Sequence, residues 1–275
     1  MQPSGIGDAA QLRNGVRMPW LGLGVYQVDE GDVRAAVGHA LRVGYRHVDT
    51  AKLYGNERGV GEAVRASGLS RADVFVTTKV WNTDQGYDET LRACEDSLSR
   101  LGMDYVDLYL VHWPKPARTR DTWRAMERLY HDGKARAIGV CNFKEHHLAD
   151  LLQHAEVAPM VDQFELHPYL GLGDLRGFCA RNGIQAEAWA PIARGRLDAP
   201  ALQEIARDHG RTPAQVVLRW HLQNGVVAIP KSVRPARIEE NAAIFDFSLS
   251  DGEMARIDAL DAGERLGPDP DRINF

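Results

Sequence analysis

Apolar, β-branched runs return about every 30 residues along this chain, and the stretches between them carry apolar residues at spacings of three and four, the rhythm of parallel strands joined by crossover helices. Eight such runs are read as strands: Leu21 to Val25, Tyr45 to Asp49, Val74 to Thr78, Val106 to Val111, Ala135 to Val140, Val161 to Glu165, Ile184 to Trp189 and Val226 to Ile229. Helical spacing is carried by segments such as Asp32 to Val43, Asp88 to Leu101, Thr122 to His131, Ala201 to His209 and Pro213 to Leu222. Gly44, Gly102, Gly133, Gly183 and Gly225 stand near the ends of helical runs, where a left-handed stop costs little. Eight units of about 30 residues account for roughly 240 of the 275, which fits one closed α/β (β/α)8 TIM barrel over residues 1–275 better than two domains. Asn14-Gly15, inside Gln11 to Met18, reads as an N-terminal hairpin that plugs one barrel end. The tail from Gly263 to Phe275, with Pro268 and Pro270, is too irregular for another helix.

Charge and composition remove several function classes. The 33 Lys+Arg against 38 Asp+Glu leave a net charge of −5, so no global positive field exists to hold a phosphate backbone, and nucleic acid is not an expected partner. The longest stretches free of charged residues, Met18 to Val28 and Trp220 to Pro230, are 11 residues each, short of the roughly 20 apolar residues a bilayer span requires. The opening MQPSGIGDAAQLRNG shows neither the basic start nor the apolar run of an export signal, and three cysteines (Cys94, Cys141, Cys179) cannot all pair within one chain. A cytoplasmic location is expected.

In a barrel of this kind the C-terminal strand ends form the active face. Asp49 ends the second strand and Tyr54 follows five positions later; Lys79 follows the third strand, His112 the fourth, Asn142 the fifth; Gln163 lies near the end of the sixth, Trp189 ends the seventh and Lys231 follows the eighth. An Asp, Tyr, Lys and His set suits proton donation to a carbonyl oxygen. A phenol is a poor acid at neutral pH unless a neighbouring ammonium stabilises its anion; Lys79 supplies that charge and Asp49 keeps the ammonium protonated and aimed. His112, neutral, can donate a hydrogen bond to the same oxygen. The set lacks a hydride source, so a cofactor is required.

These residues sit in three long motifs: Gly44-Tyr-Arg-His-Val-Asp-Thr-Ala-Lys-Leu-Tyr54-Gly-Asn-Glu57, Met103-Asp-Tyr-Val-Asp-Leu-Tyr-Leu-Val-His-Trp-Pro114, and Ile229-Pro-Lys-Ser232 through Arg237-Ile-Glu-Glu-Asn241. In that order, along nearly the whole chain, they resemble the signatures of the aldo-keto reductases, and the closing Gly267-Pro-Asp-Pro-Asp271 resembles the bacterial branch similar to 2,5-diketo-D-gluconate reductases. The resemblance implies a (β/α)8 barrel that reduces aldehydes and ketones with NADPH, with Asp49, Tyr54, Lys79 and His112 as the catalytic tetrad and Tyr54 as the acid. It implies further that Asn142 and Gln163 hold the nicotinamide carboxamide, that Trp189 stacks on the ring, that Lys231, Ser232 and Arg237 clamp the adenosine 2′-phosphate, and that Glu240 and Asn241 contact the adenine. Two departures stand out. Cys141 replaces the usual Ser before Asn142, and a thiol is the weaker hydrogen-bonding group. After Trp189 a frequent Ser is replaced by Ala190, and the segment that would cover the pyrophosphate is short, with Arg194 or Arg196 as substitutes.

Taken singly, each residue has a plainer reading. Tyr54 also reads as a packed aromatic, Lys79 as a snorkelling surface residue, Asp49 as a helix cap and His112 as a satisfied strand-end histidine. Asn142 and Gln163 can satisfy loop backbone and Trp189 can be core; only the cofactor gives all three one job. Trp20, Tyr26, Trp81 and Trp113 are expected to wall the substrate pocket, against the alternative of barrel-mouth packing. Gly22-Leu-Gly24 lacks the third glycine of a dinucleotide fingerprint, and there is no P-loop, nucleophile elbow or His-Glu-x-x-His. The spacing of Cys141, His146, His147 and His154 matches no familiar metal ligand set, so no metal is expected. The rivals are a non-catalytic NADPH-sensing binding module of the same fold, against which the full tetrad and the lack of a long added interaction segment speak, and a Schiff-base lyase using Lys79, which the charge-holding Asp49 disfavours. With no unusual apolar stripe, a monomer acting on a small-molecule carbonyl substrate is expected.

Overall fold

A computed structural model describes residues 2–273 and residue 275 of the chain; Met1 and Asn274, which fall within the opening and tail segments read above, lie outside the described residues. The chain begins with a hairpin, β1 (Ala9–Gln11) and β2 (Arg17–Pro19), paired antiparallel. Eight strands follow: β3 (Leu23–Gly24), β4 (His47–Asp49), β5 (Phe75–Val80), β6 (Val106–Val111), β7 (Ala135–Cys141), β8 (Val161–Glu165), β9 (Gln185–Trp189) and β10 (Val227–Ala228). Each pairs in parallel with the next in sequence order, and parallel bridges from Leu21 to Ala228 and from Gly24 to Lys231 join the last strand to the first. The sheet closes on itself, as the strand spacing requires.

Helices α1 (Glu30–Val43), α2 (Glu57–Ala66), α3 (Tyr87–Leu101), α4 (Pro116–His131), α5 (Glu145–Leu152), α6 (Gly173–Arg181), α7 (Pro200–His209), α8 (Pro213–Gln223), α9 (Pro235–Ala242) and α10 (Asp251–Asp258) complete the described helical elements of four or more residues. The buried face of α1 is Val33, Ala36, Val37, Ala40 and Leu41, the three-and-four spacing that marks a one-sided helix. Its stop is Gly44, in the left-handed region at φ 117°, from which the N–H reaches back to Ala40 and Leu41. Strands β5, β6 and β8 are buried along their whole length, because helices cover one face and the barrel interior the other. The tail is irregular apart from a short 3-10 turn, Pro270–Arg272.

The hairpin lies at the N-terminal end of the strands, and this corrects one expectation. The Trp20 N–H donates to the Asp8 carbonyl of the hairpin segment and its own carbonyl accepts from Ala228, whereas the active-face end of the same strand is Gly24, paired with Asp49. Four extended residues of about 3.3 Å each separate them, roughly 13 Å, so Trp20 belongs to the closed end of the barrel and not to a pocket at the mouth.

Close helix packing over the sheet is set at Gly61 on α2, where an added Cβ would stand 1.9 Å from the carbonyl oxygen of Leu101 at the end of α3. Backbone cannot yield as a flexible side chain does. Gly61→Ala is expected to destabilise the fold by about 2 kcal/mol or more in urea unfolding, the cost of overpacking a tight site; unchanged stability would show that the two helices are free to separate.

Candidate active site

Lys79 is fully buried near the end of β5, and its ammonium uses all three of its donors: Asp49 Oδ1 at 2.6 Å, the Thr50 carbonyl at 3.0 Å and the Tyr54 hydroxyl at 3.4 Å. A 3-10 turn, Lys52–Tyr54, directly after β4 folds the chain back so that the phenol meets the lysine of the next strand. The Tyr54 ring lies 5.8 Å from that of His112 and 5.0 Å from that of Tyr26, and Trp81 lies 5.1 Å from His112. Asp49, Tyr54, Lys79 and His112 therefore form one cluster at the strand ends.

Burial pulls the Lys79 ammonium toward neutrality, but the Asp49 carboxylate and the Tyr54 hydroxyl outweigh it and hold the charge. For Tyr54 the balance falls differently. The side chain is only half-buried, yet its hydroxyl is densely enclosed; burial drives the phenol above its ordinary value, and the opposing pull of Lys79 does not offset it. Burial, and behind it the Lys79 charge, keep the His112 imidazole well below its usual range, hence neutral, with Nδ1 lacking any protein partner.

A second layer lies beside and beneath this cluster. Gln163 Nε2 donates to Asp49 Oδ2 and to Glu187 Oε2, both at 2.8 Å, while its Oε1 faces the Cys141 thiol at 3.7 Å. Asn142, at a left-handed φ of 65°, donates from Nδ2 to the His112 carbonyl at 3.0 Å and accepts the Trp189 indole N–H at 2.8 Å. Asn142, Gln163 and Trp189 are thus brought together, with Trp189 half-buried at the mouth. Burial pushes the Cys141 thiol well up, so it remains protonated and serves as a weak donor.

Further round the rim, Lys231 and Arg237 are exposed, and neither is in an ion pair among the described residues. The buried Ser232 accepts the Arg234 N–H at 3.1 Å, shaping the turn into α9. Glu240 is less free than expected, because one carboxylate oxygen accepts the hydroxyl of Thr212, the N-cap of α8, at 2.7 Å; Asn241 is buried behind it. Of the two arginines read as substitutes over the pyrophosphate, Arg196 is held by both oxygens of Glu264, at 2.5 and 2.7 Å, and lies over the Tyr169 ring. Arg194 is exposed.

Sequence reading missed three contributors. Phe275 stacks on Trp81 at 5.7 Å and meets Trp113 edge-on at 5.6 Å, so the tail adds an aromatic next to Trp81 and Trp113. Glu165, at the end of β8, accepts the backbone N–H groups of Leu266 and Gly267 at 2.6 and 3.1 Å and anchors that tail. Glu187 lies two residues before Trp189 on β9, the inward parity, and that spacing was the available signal. Lys144 holds the tail from the far side, bonding Asp269 at 2.5 Å and Asp271 at 2.6 Å. His146 and His147 approach the same Asp271 oxygen at 3.1 and 3.5 Å. His147 Nδ1 accepts the Lys144 N–H, and with Lys144 and His146 it fastens Asp271 to the start of α5.

Known proteins resemble this chain along nearly its whole length. The model of the aldo/keto reductase family matches residues 20–262. A glyoxal reductase from Bacillus subtilis (strain 168) is 54% identical over 99% of this chain and 100% of its own length. Among solved structures, an aldo-keto reductase enzyme from a Medee basin deep-sea metagenome library superposes with a TM-score of 0.96 at 43% identity, covering 97% of this chain and 100% of the other. A mutant of Gox0644 solved in complex with NADPH gives a TM-score of 0.93 at 42% identity, over 97% of this chain and 98% of that one. By fold, by the cluster at its strand ends and by sequence along almost its full length, the chain belongs to the aldo/keto reductase family.

Proposed function

We propose that this chain, as one barrel domain over residues 1–275, reduces a small-molecule aldehyde or ketone to the alcohol with NADPH, Tyr54 acting as the acid. The observation that carries the reading is the Lys79 ammonium bonded at once to Asp49 and to the Tyr54 hydroxyl beside a neutral His112. The NADPH-bound relative and the glyoxal reductase relative support the cofactor and the substrate class.

The residues present fit the cofactor. Lys231 and Arg237 leave two cations without ion-pair partners among the described residues near the start of α9, suited to the 2′-phosphate with Ser232; Asn142 and Gln163 offer amide donors and acceptors suited to the carboxamide, and half-buried Trp189 offers an aromatic face. Glu240 and Asn241 complete the adenine end, with Glu240 tied to Thr212. When bound, NADPH supplies the hydride. The protein supplies the rest. Tyr54, kept protonated by its enclosure, delivers its proton to the carbonyl oxygen as charge gathers there. Lys79 stabilises the phenolate left behind, and Asp49 keeps the lysine charged and fixed. His112, neutral, donates to the same oxygen and directs the carbonyl, with Tyr26, Trp81 and Trp113 around it. The short cover after Trp189, with Arg196 committed to Glu264, supports rapid cofactor release. A cytoplasmic monomer with no nucleic-acid partner completes the proposal, supported by three free, buried thiols and the net charge of −5.

Four outcomes follow. Tyr54→Phe should lower kcat by at least about 10²-fold while NADPH affinity, read by fluorescence, stays near wild type; undiminished turnover rejects the acid. Replacing both Lys231 and Arg237 by Ala should erase most of the preference for NADPH over NADH, since each charge-assisted contact is worth about 1.5–3 kcal/mol. Lys79→Met should remove activity and destabilise the fold by about 3–5 kcal/mol in urea unfolding, because Asp49 is left buried and unpaired. The pH profile has a definite sign. Because the Tyr54 value is raised, the acid form persists to higher pH than for a free phenol, so reduction should not lose its acid anywhere below about pH 10.

A further inference from the structure

Glu187 has no role in the cluster above, yet it is completely buried in the barrel interior and shares the nitrogen of Gln163 with Asp49, each carboxylate at 2.8 Å. An amide nitrogen carries two hydrogens and accepts nothing, and a carboxylate oxygen facing it must accept. With one hydrogen given to Asp49 and the other to Glu187, the orientation of the Gln163 amide is decided: Oε1 is left on the side of Cys141, next to Asn142. Without Glu187 one hydrogen would be unplaced and Asp49 alone would hold the nitrogen, leaving the amide free to pivot about that single bond and its oxygen no longer fixed beside Asn142.

We infer that Glu187 is a positioning residue, which together with Asp49 holds the Gln163 amide fast so that its side-chain oxygen stays aimed at the amide hydrogens of the nicotinamide carboxamide. The inference rests on the proposed role of Gln163 and adds to it. Glu187 touches neither substrate nor cofactor; it acts through Gln163. The surrounding charges are compatible with this. Asp49 is occupied by Lys79, and burial together with the Asp49 charge raises the Glu187 carboxyl to about 8, so one of the two carboxyl groups on the shared nitrogen is neutral at pH 7. The other titratable groups acting on Glu187 are Lys79, whose charge pulls the carboxyl down, His47, whose Nε2 is 3.6 Å from Glu187 Oε1 and which burial holds neutral at about 3, and the protonated Cys141.

The test compares NADP+ with its acetylpyridine analogue, in which a methyl group replaces the carboxamide NH2. Binding of both is measured by fluorescence or calorimetry on wild type, Glu187→Gln, Glu187→Leu and Gln163→Met. Glu187→Gln keeps an acceptor for Gln163 and should preserve the discrimination between the two ligands. Glu187→Leu should narrow it by about tenfold, the weight of one well-placed hydrogen bond, without changing affinity for adenosine 2′,5′-bisphosphate. The double variant with Gln163→Met should lose no more than Gln163→Met alone. If Gln163→Met loses discrimination and Glu187→Leu keeps it, the inference is overturned while the role of Gln163 stands. If Gln163→Met itself discriminates as wild type does, the reading of Gln163 fails and takes the inference with it. Should Glu187→Leu not fold, melting of Glu187→Gln decides. A carboxyl raised to about 8 by burial and the Asp49 charge, against the pull of the Gln163 amide, makes wild-type stability fall as pH rises from its unfolded value toward 8, so the Tm advantage of Glu187→Gln should grow across that interval; a gap constant with pH overturns the placement of a buried Glu187 carboxyl beside Asp49 on one nitrogen.

Discussion

The buried ion pair between Lys79 and Asp49 is the constraint around which the strand ends are arranged. A charge withdrawn from water is tolerated only with a close counter-charge and with its remaining donors satisfied. Asp49 meets the first condition at 2.6 Å, and the Thr50 carbonyl and Tyr54 hydroxyl meet the second. The pair lies across neighbouring strands, so closure of the barrel and formation of the pair depend on the same register, Asp49 against Thr77 and Lys79 against Leu110. The phenol is held by the same charge that, in the proposed reaction, steadies its anion. Folding and chemistry share one interaction.

The same economy runs through the layer below. Asp49 has two oxygens; one serves the lysine and the other serves Gln163, which carries the connection to Glu187 on β9. The acid chemistry and the amide next to Asn142 are thus linked through a single carboxylate. A change at Asp49 reaches both.

Much of this was legible in the chain. Strand positions followed from apolar β-branched runs, and the runs at Val106–Val111 and Val161–Glu165 coincide with β6 and β8 because strands buried on both faces leave little room for other residues. The convergence of Asp49, Tyr54, Lys79 and His112 followed from their places at consecutive strand ends. What failed depends on three-dimensional enclosure. The pull of Lys79 on the phenol could be foreseen from residue types, but the opposing burial depends on how densely the mouth is walled. Trp20 was misplaced because a residue beside a strand belongs to one barrel end or the other according to strand direction, and it precedes the strand. Glu187 was passed over because a carboxyl inside an apolar run looks like an interruption until its partner across β8 is known.

The tail that brings Phe275 onto Trp81 is fastened by contacts of a different kind from those that hold the barrel. Asp269 and Asp271 grip Lys144 at the surface, while the buried Glu165 and the buried Asn82, which donates to the Phe275 carbonyl at 3.1 Å, hold the tail from within. Surface pairs weaken in salt while the barrel interior does not. The aromatic contributed by Phe275 is therefore fastened separately from the Lys79–Asp49 pair: if Trp81 and Trp113 wall the substrate pocket as proposed, tail substitutions reshape that wall while leaving the ion pair in place.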